Sequence, residues 1–537
     1  MDIAPAHIVI APVLIPLAVG ALLLFFDDRE RRLKLVLSLL SALFVLATSV
    51  LLLLRVHTGQ GTTALIYLVG NWPIPIAITL VADRIATVML VLAAALAIPS
   101  LLFAAERWEK VGPHFHSLFQ FLLVGLNGAF LTGDLFNLFV FFEVMLAASY
   151  GLVLHGGGAA RIRPGLHYIA INLGASLIFL VGIAMIFGAT GSLNMAEIAL
   201  RAEKLEGFAQ PALHVGLALL GVAFMVKAGM WPLGFWLVPA YASAAGPVAA
   251  VFAMLSKVGI YSLLRLALLL PGQGTAFGSV IIFTGGVATI LFACLGVLAS
   301  QSMKRASAYF LLMSSGTLMA AFGMSHPPST AGALFYLLSS TLAVGAFFLV
   351  VEVLEREQDA ASNVLAVTLE AYGDGEEEDE EEPEVGRTVP GAVAVLGVSF
   401  CLLAMVLIGL PPLTGFIAKF AILTSLLGPG TDVLAGNQMR IVLAILLVLS
   451  GFVALIGLSR MGIRVFWAPV EPFTPKITVM ETAPILLLLA MLVGLMVQAG
   501  PVMDLLNTTA RDLHEPYRYL QAVFGAERTP PFAGRPH

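Results

Sequence analysis

Apolar residues in this chain run unbroken for about twenty positions at a time, separated by short polar stretches. Runs of that length match what a helix needs to cross the roughly 30 Å hydrocarbon core of a bilayer. Fourteen spans are predicted, over residues 8–26, 35–54, 85–104, 115–133, 135–155, 165–188, 211–231, 244–264, 277–299, 306–324, 331–354, 391–424, 441–459 and 483–506. Helices rather than strands follow because a bilayer segment must satisfy its backbone polar groups internally, and these runs are about twice strand length. The segment 62–82, with Trp72, Pro73 and Pro75, is predicted as a surface or re-entrant piece. Met1–Ala6 lacks the basic start of a cleavable signal, so the first run is expected to stay as a span.

Composition agrees with the pattern. The 537 residues are 59% hydrophobic and 11% charged, with a mean hydropathy of +0.97, whereas soluble chains carry roughly 25% charged residues. A net charge of −5 gives no reason to expect nucleic acid. Cys294 and Cys401 lie apart in apolar runs and form no CxxC, and no phosphate-binding loop is present. Iron–sulfur, zinc–cysteine and nucleotide chemistry therefore have no visible seat. Of the 28 lysines and arginines, fifteen fall in one set of alternate loops and ten on the opposite side, four of them in the C-terminal tail. The richer side is expected to be cytoplasmic, which puts both termini outside.

Three bases remain, Lys227, Lys257 and Lys419, and all fall inside spans. Each costs about 2.5–3.5 kcal/mol at a helix centre on insertion scales. A single acid, Glu143, lies deep in the run Leu135–Leu154 as a possible counter-charge. Burial disfavours charge and pairing restores it, so such groups can switch protonation with a neighbour's charge, as a proton relay requires. The bland alternative is a set of structural ion pairs.

Two of the lysines adjoin helix breaks. Pro232 and Gly234 interrupt the seventh span just after Lys227, and Pro411, Pro412 and Gly415 interrupt the twelfth just before Lys419. Proline removes a helical hydrogen bond, and paired interrupted helices in matching halves mark the ion site of inverted-repeat transporters. Five spans separate the breaks, and an odd unit must insert upside down relative to its copy. The predicted fold is thus an all-α polytopic membrane protein of about fourteen helices, with inverted five-helix repeats over spans 4–8 and 9–13. In residues, the division is 1–110, 111–270, 271–470 (with an acidic linker at about 355–389) and 471–537.

The stretches Gly133–Glu143, Lys227–Ala240 and Gly409–Phe420 resemble the antiporter-like subunits shared by respiratory complex I and Mrp-type antiporters. Phe139–Glu143 and the acidic insert look most like the D-type subunits of multisubunit Na⁺(K⁺)/H⁺ antiporters of the Mrp or Pha class. The resemblance implies proton translocation by Glu143, Lys227, Lys257 and Lys419, in a bacterial cell membrane, beside antiporter subunits of the A, B, C, E, F and G types. It implies exchange of H⁺ for Na⁺ or K⁺ at the level of the complex, with no cofactor, no bound metal and no enzymatic chemistry in this chain. The alternative is a proton-pumping subunit of a redox complex.

Complex I relatives usually carry histidines ending in a lysine on span eleven, whereas Tyr336–Gly345 has neither. Ser339, Ser340 and Thr341 read first as helix-packing polar residues and second as carriers of water. His167 reads as interfacial rather than as a relay member. Asp134, at the mouth of span five, fits a helix cap and an intake carboxylate equally. The run Glu376–Glu382 is predicted to be a solvated linker.

Overall fold

A computed structural model describes residues 5–27, 29–59, 63–74, 76–270, 275–372, 391–428, 437–467 and 477–526. Its helices are α1 (Ala11–Leu23), α2 (Arg31–Thr58), α3 (Arg84–Ala104), α4 (Phe115–Leu131), α5 (Leu135–Val153), α6 (Ala159–Thr190), α7 (Met195–Ala202), α8 (Ala209–Ala228), α9 (Leu237–Ser243) and α10 (Gly246–Leu269). They continue with α11 (Thr275–Ala299), α12 (Met303–Gly323), α13 (Pro327–Tyr372), α14 (Gly391–Ile408), α15 (Thr414–Leu427), α16 (Asn437–Gly462), α17 (Val479–Val497), α18 (Ala499–His514) and α19 (Pro516–Phe524). Eleven of these helices are long and apolar enough to cross a membrane. α10, α12 and α13 sit at the centre, almost wholly buried, while α2, α8 and α17 bury only about a third of their apolar window. On helices of this length, an outward face of leucine and valine calls for lipid or a neighbouring membrane subunit to cover it. The chain is a multi-pass membrane protein.

The fold is not purely helical. The segment 62–82, predicted as a surface or re-entrant piece, gives all but the last residue of an antiparallel hairpin of β1 (Ala64–Leu68) and β2 (Thr79–Asp83), in register from Ala64 opposite Asp83 to Leu68 opposite Thr79. Both strands are rich in β-branched and large apolar residues, which favours pairing. β2 also fastens to the α4–α5 corner, where Gly133 N–H donates to the Thr79 carbonyl at 2.9 Å. The hairpin therefore belongs to the end of the bundle opposite the basic loops.

Two further expectations need correction, and the C-terminal tail has a docked position. The last span ends at Val497, not 506, because Pro501 has no N–H for the Val497 carbonyl and the residues beyond form the amphipathic α18. The C-terminal tail over residues 508–526 folds back: Arg84 pairs with Asp512, and the Arg265 guanidinium lies 5.0 Å from the Tyr519 ring centre. Finally, α13 runs to Tyr372, so the first half of the linker expected at about 355–389 is helix. Its 46 residues span about 69 Å at 1.5 Å each, well beyond the bilayer core. Glu376–Glu382 lie outside the described residues.

The docking of α18 carries a pH dependence. His514 meets the Thr330 hydroxyl at 3.0 Å, and burial, with His326 beside it, pushes its imidazole down from 6.5 to about 4. A histidine depressed in the folded state takes up protons on release, so docking is firm above about pH 6.5 and weakens as pH falls toward 4. The protection of α18 amides, their exchange measured relative to the intrinsic rate at each pH, is expected to fall over that window, and His514→Gln to remove the change.

Candidate functional site

The two breaks share one design. α8 ends at Gly229, whose φ of +75° suits glycine, and Met230 N–H reaches back to the Met225 carbonyl at 3.0 Å. α14 ends likewise at Gly409, with φ +89° and Leu410 N–H on the Met405 carbonyl at 2.9 Å. This six-to-one bond is the Schellman way of closing a helix. Three residues beyond each glycine stands a proline, Pro232 or Pro412, in a cis peptide bond. The next glycine in each is fixed by close approach: a Cβ on Gly234 would lie 2.0 Å from the Gly229 oxygen, and one on Gly415 would lie 1.8 Å from the Val406 oxygen.

The second break also determines what Lys419 meets. Pro412 cannot donate to the Ile408 carbonyl, four residues back, and Lys419 Nζ takes that carbonyl at 2.9 Å, with Ser450 Oγ at 3.5 Å. Lys227, in the last turn of α8, donates to Ser176 Oγ at 3.3 Å and lies 4.9 Å from the centre of the Phe142 ring. Ser176 in turn donates to Glu143. A serine on α6 thus stands between Glu143 and Lys227, and among the described residues Glu143 makes no direct ion pair. Lys257 is fully buried and donates to Ser314 and Ser315 on α12 at 3.0 and 3.2 Å.

From there the polar contacts cross into the second broken helix. Ser314 meets Ser340 on α13 at 2.8 Å, and the neighbouring Ser339 donates to Thr414 at 2.8 Å. Thr414 opens α15, which carries Lys419. The hydroxyls of α13 therefore link the surroundings of Lys257 with those of Lys419, whereas Thr341 Oγ1 is buried without a partner. Ser176, Ser314, Ser315, Thr414 and Ser450 were not singled out from the sequence. The signal in the chain was their type: serine and threonine inside spans, and the doublet Ser314-Ser315 above all.

Asp134 caps α5, accepting from Asn137 N–H at 2.8 Å, and burial raises its carboxyl above the usual range despite that bond. His167 is exposed, with its ring 5.4 Å from that of Phe235.

Two matching helix breaks, one with a buried lysine just before it and one with a buried lysine just after it, mark a membrane protein built like an ion transporter. The chain belongs to the family described as NADH:quinone oxidoreductase/Mrp antiporter, TM, which matches residues 132–446. It is 51% identical over 530 residues to the D-type subunit of a probable K(+)/H(+) antiporter of Rhizobium meliloti (strain 1021), covering 97% of this chain and 98% of that protein. It is 33% identical over 525 residues to the D-type subunit of the Na(+)/H(+) antiporter of Alkalihalophilus pseudofirmus, covering 96% and 99%. A chain in the solved structure of the Mrp complex from Dietzia sp. DQ12-45-1b has the same fold, with a TM-score of 0.82, 24% identity, and 97% and 100% coverage.

Proposed function

We propose that this chain is the proton-carrying subunit of a multisubunit K⁺/H⁺ or Na⁺/H⁺ antiporter, working beside other antiporter subunits in a bacterial cell membrane. The observation that carries the reading is the series Glu143–Ser176–Lys227, then Lys257–Ser314–Ser340, then Ser339–Thr414 on the helix of Lys419. In it, protons pass by way of Glu143, Lys227, Lys257 and Lys419, with hydroxyls and water between them. A lysine losing its charged neighbour gives up its proton more readily in a low dielectric. The relatives' names, one from a K⁺/H⁺ and the other from a Na⁺/H⁺ antiporter, support the reaction class.

The membrane arrangement belongs to the same reading. The eleven long helices, the shorter ones at His7–Leu23 and Phe115–Leu131, and the broken pair Val393–Ile408 and Thr414–Leu427 taken once make fourteen spans. Spans 4–8 (within 111–270) and 9–13 (within 271–470) form inverted repeats, supported by the like construction of the two breaks. Residues 1–110 and 471–537 flank them, and the basic loops face the cytoplasm, with both termini outside. The metal ion crosses elsewhere in the complex, since no group of three or more His, Cys, Asp or Glu gathers among the described residues and hard cations favour several oxygen ligands.

The test is the assembled complex in liposomes holding a pH-sensitive dye, with a K⁺ or Na⁺ gradient imposed. Lys257→Met keeps the side chain's length without its charge, and is expected to stop proton movement while the complex still co-purifies. Full exchange by that variant would overturn the relay.

A further inference from the structure

The N-terminal helices hold a second buried polar file that the lysine series does not use. Half of the buried positions of α2 are polar: Lys34, Ser38, Ser41 and Ser49. Gln120 faces them from α4, while His116 lines a small cavity with Lys34 and Asn127 turns to α1, all three at most 4% exposed. Ser41 Oγ donates to Gln120 Oε1 at 2.8 Å, and Gln120 Nε2 to the Ser38 carbonyl at 3.3 Å. Deeper in, Pro16 leaves the Pro12 carbonyl of α1 without its helical partner, and Asn127 Nδ2 takes it at 2.7 Å. At the basic-loop end, His116 Nε2 lies 3.1 Å from Glu109, both side chains being buried.

Small residues alone would signify close helix packing. Here, however, Ser38 Oγ, His116 Nδ1, Ser117 Oγ and Asn127 Oδ1 are all buried without a partner. Unpaired polar atoms are costly in a membrane interior, and water is their ordinary remedy. A cavity of about 10 Å³, enough for one water, lies at the mouth, lined in part by Lys34, Glu109, His116 and Ser117. The file reaches deep. Close contacts of Gly125 with Met145 and of Gly128 with Phe141 set Asn127 at the same depth as Glu143.

We propose that the seam between α1, α2 and α4 is a water-filled half-channel for protons, with the Glu109–His116 pair as its loading site. A proton arriving on Glu109 moves to His116 Nε2, and the imidazole releases another from Nδ1 to the first water, which leaves the ring in the other tautomer until it turns or exchanges its proton through water and is ready for the next passage. The charged and titratable groups around that pair are Arg31, Lys34 and His114 at the mouth, with His155 across Phe115. The positive charges of Arg31 and Lys34 make the mouth unsuited to a metal cation. The inference rests on the proton-carrying reading above and on the basic loops facing the cytoplasm.

Silver ion is close to water in size and reacts with thiols, so it reports whether the seam is wet. In the assembled complex, Ser38→Cys and Ser41→Cys are expected to react with Ag⁺ from the basic-loop side. Reaction is read as loss of later maleimide labelling in the denatured protein, against Lys110→Cys as an exposed control and the unaltered complex as background. Glu109→Gln is expected to slow exchange on the order of tenfold at alkaline pH, where bulk protons are scarce, with the apparent affinity for K⁺ or Na⁺ unchanged. Glu109→Asp should recover part of the rate.

Thiols that stay protected from silver while Lys110→Cys reacts would show a dry packing seam and overturn the half-channel. Reactive thiols with Glu109→Gln at the wild-type rate would leave a wet seam that carries no protons, overturning the function. Lys227→Ala separates the two readings: full exchange there defeats the lysine relay, while the silver reaction at position 38 is unaffected by it.

Discussion

Glu143→Gln is expected to abolish cation-driven proton movement as thoroughly as Glu143→Ala, by about a hundredfold or more. Glutamine keeps the size of the side chain and still offers an oxygen to the Ser176 hydroxyl, the contact that Glu143 accepts now. What it removes is the negative charge felt by Lys227 through that serine. An opposite charge within about 4–6 Å favours the charged lysine, and its loss favours release of the proton, so a glutamine at 143 leaves the switch in one position. Glu143→Asp should retain part of the exchange, because a shorter carboxylate can still act through Ser176 or water. Dequenching of a pH-gradient dye by added Na⁺ or K⁺, in vesicles holding equal amounts of assembled complex, reads all three variants. Wild-type exchange by Glu143→Gln would make the carboxylate a packing group.

Lys227→Ala is expected to assemble normally and to lose exchange to a similar degree. Lys227 contributes little to folding that its removal would cost: a 3.3 Å hydrogen bond to Ser176 and a position 4.9 Å from the Phe142 ring centre. Ser176 stands between Lys227 and Glu143, so the substitution does not break a direct buried ion pair, which is the costly case. The truncation does leave a cavity, so Lys227→Met is the companion that fills it without restoring charge. Both are expected to co-purify with their partner subunits at wild-type yield and to show no exchange above background. Either one exchanging at the wild-type rate would remove Lys227 from the relay.

Much of this was legible in the chain itself. The spans could be read because a bilayer accepts only long apolar helices, and the four intramembrane charges stand out because lipid makes each costly. Both breaks were visible for the same local reason, since proline removes a backbone donor wherever it falls. Less visible were the hairpin at 64–83, whose strands gain their hydrogen bonds from each other and from Gly133, and the turn at Gln498 that separates α18 from α17.

The intermediates of the site belonged to the tertiary structure. Nothing about Ser176 in sequence says that it will stand between Glu143, 33 positions earlier, and Lys227, 51 positions later. Nor does the chain say that Ser314 and Ser340 will meet, or that Ser339 will reach the helix of Lys419. Solvation in lipid acts on each residue separately, so the sequence determined which segments cross the membrane and which charges inside them are anomalous. Which hydroxyl completes which lysine depends on how helices far apart in the chain pack and rotate against one another, and only the fold decided that.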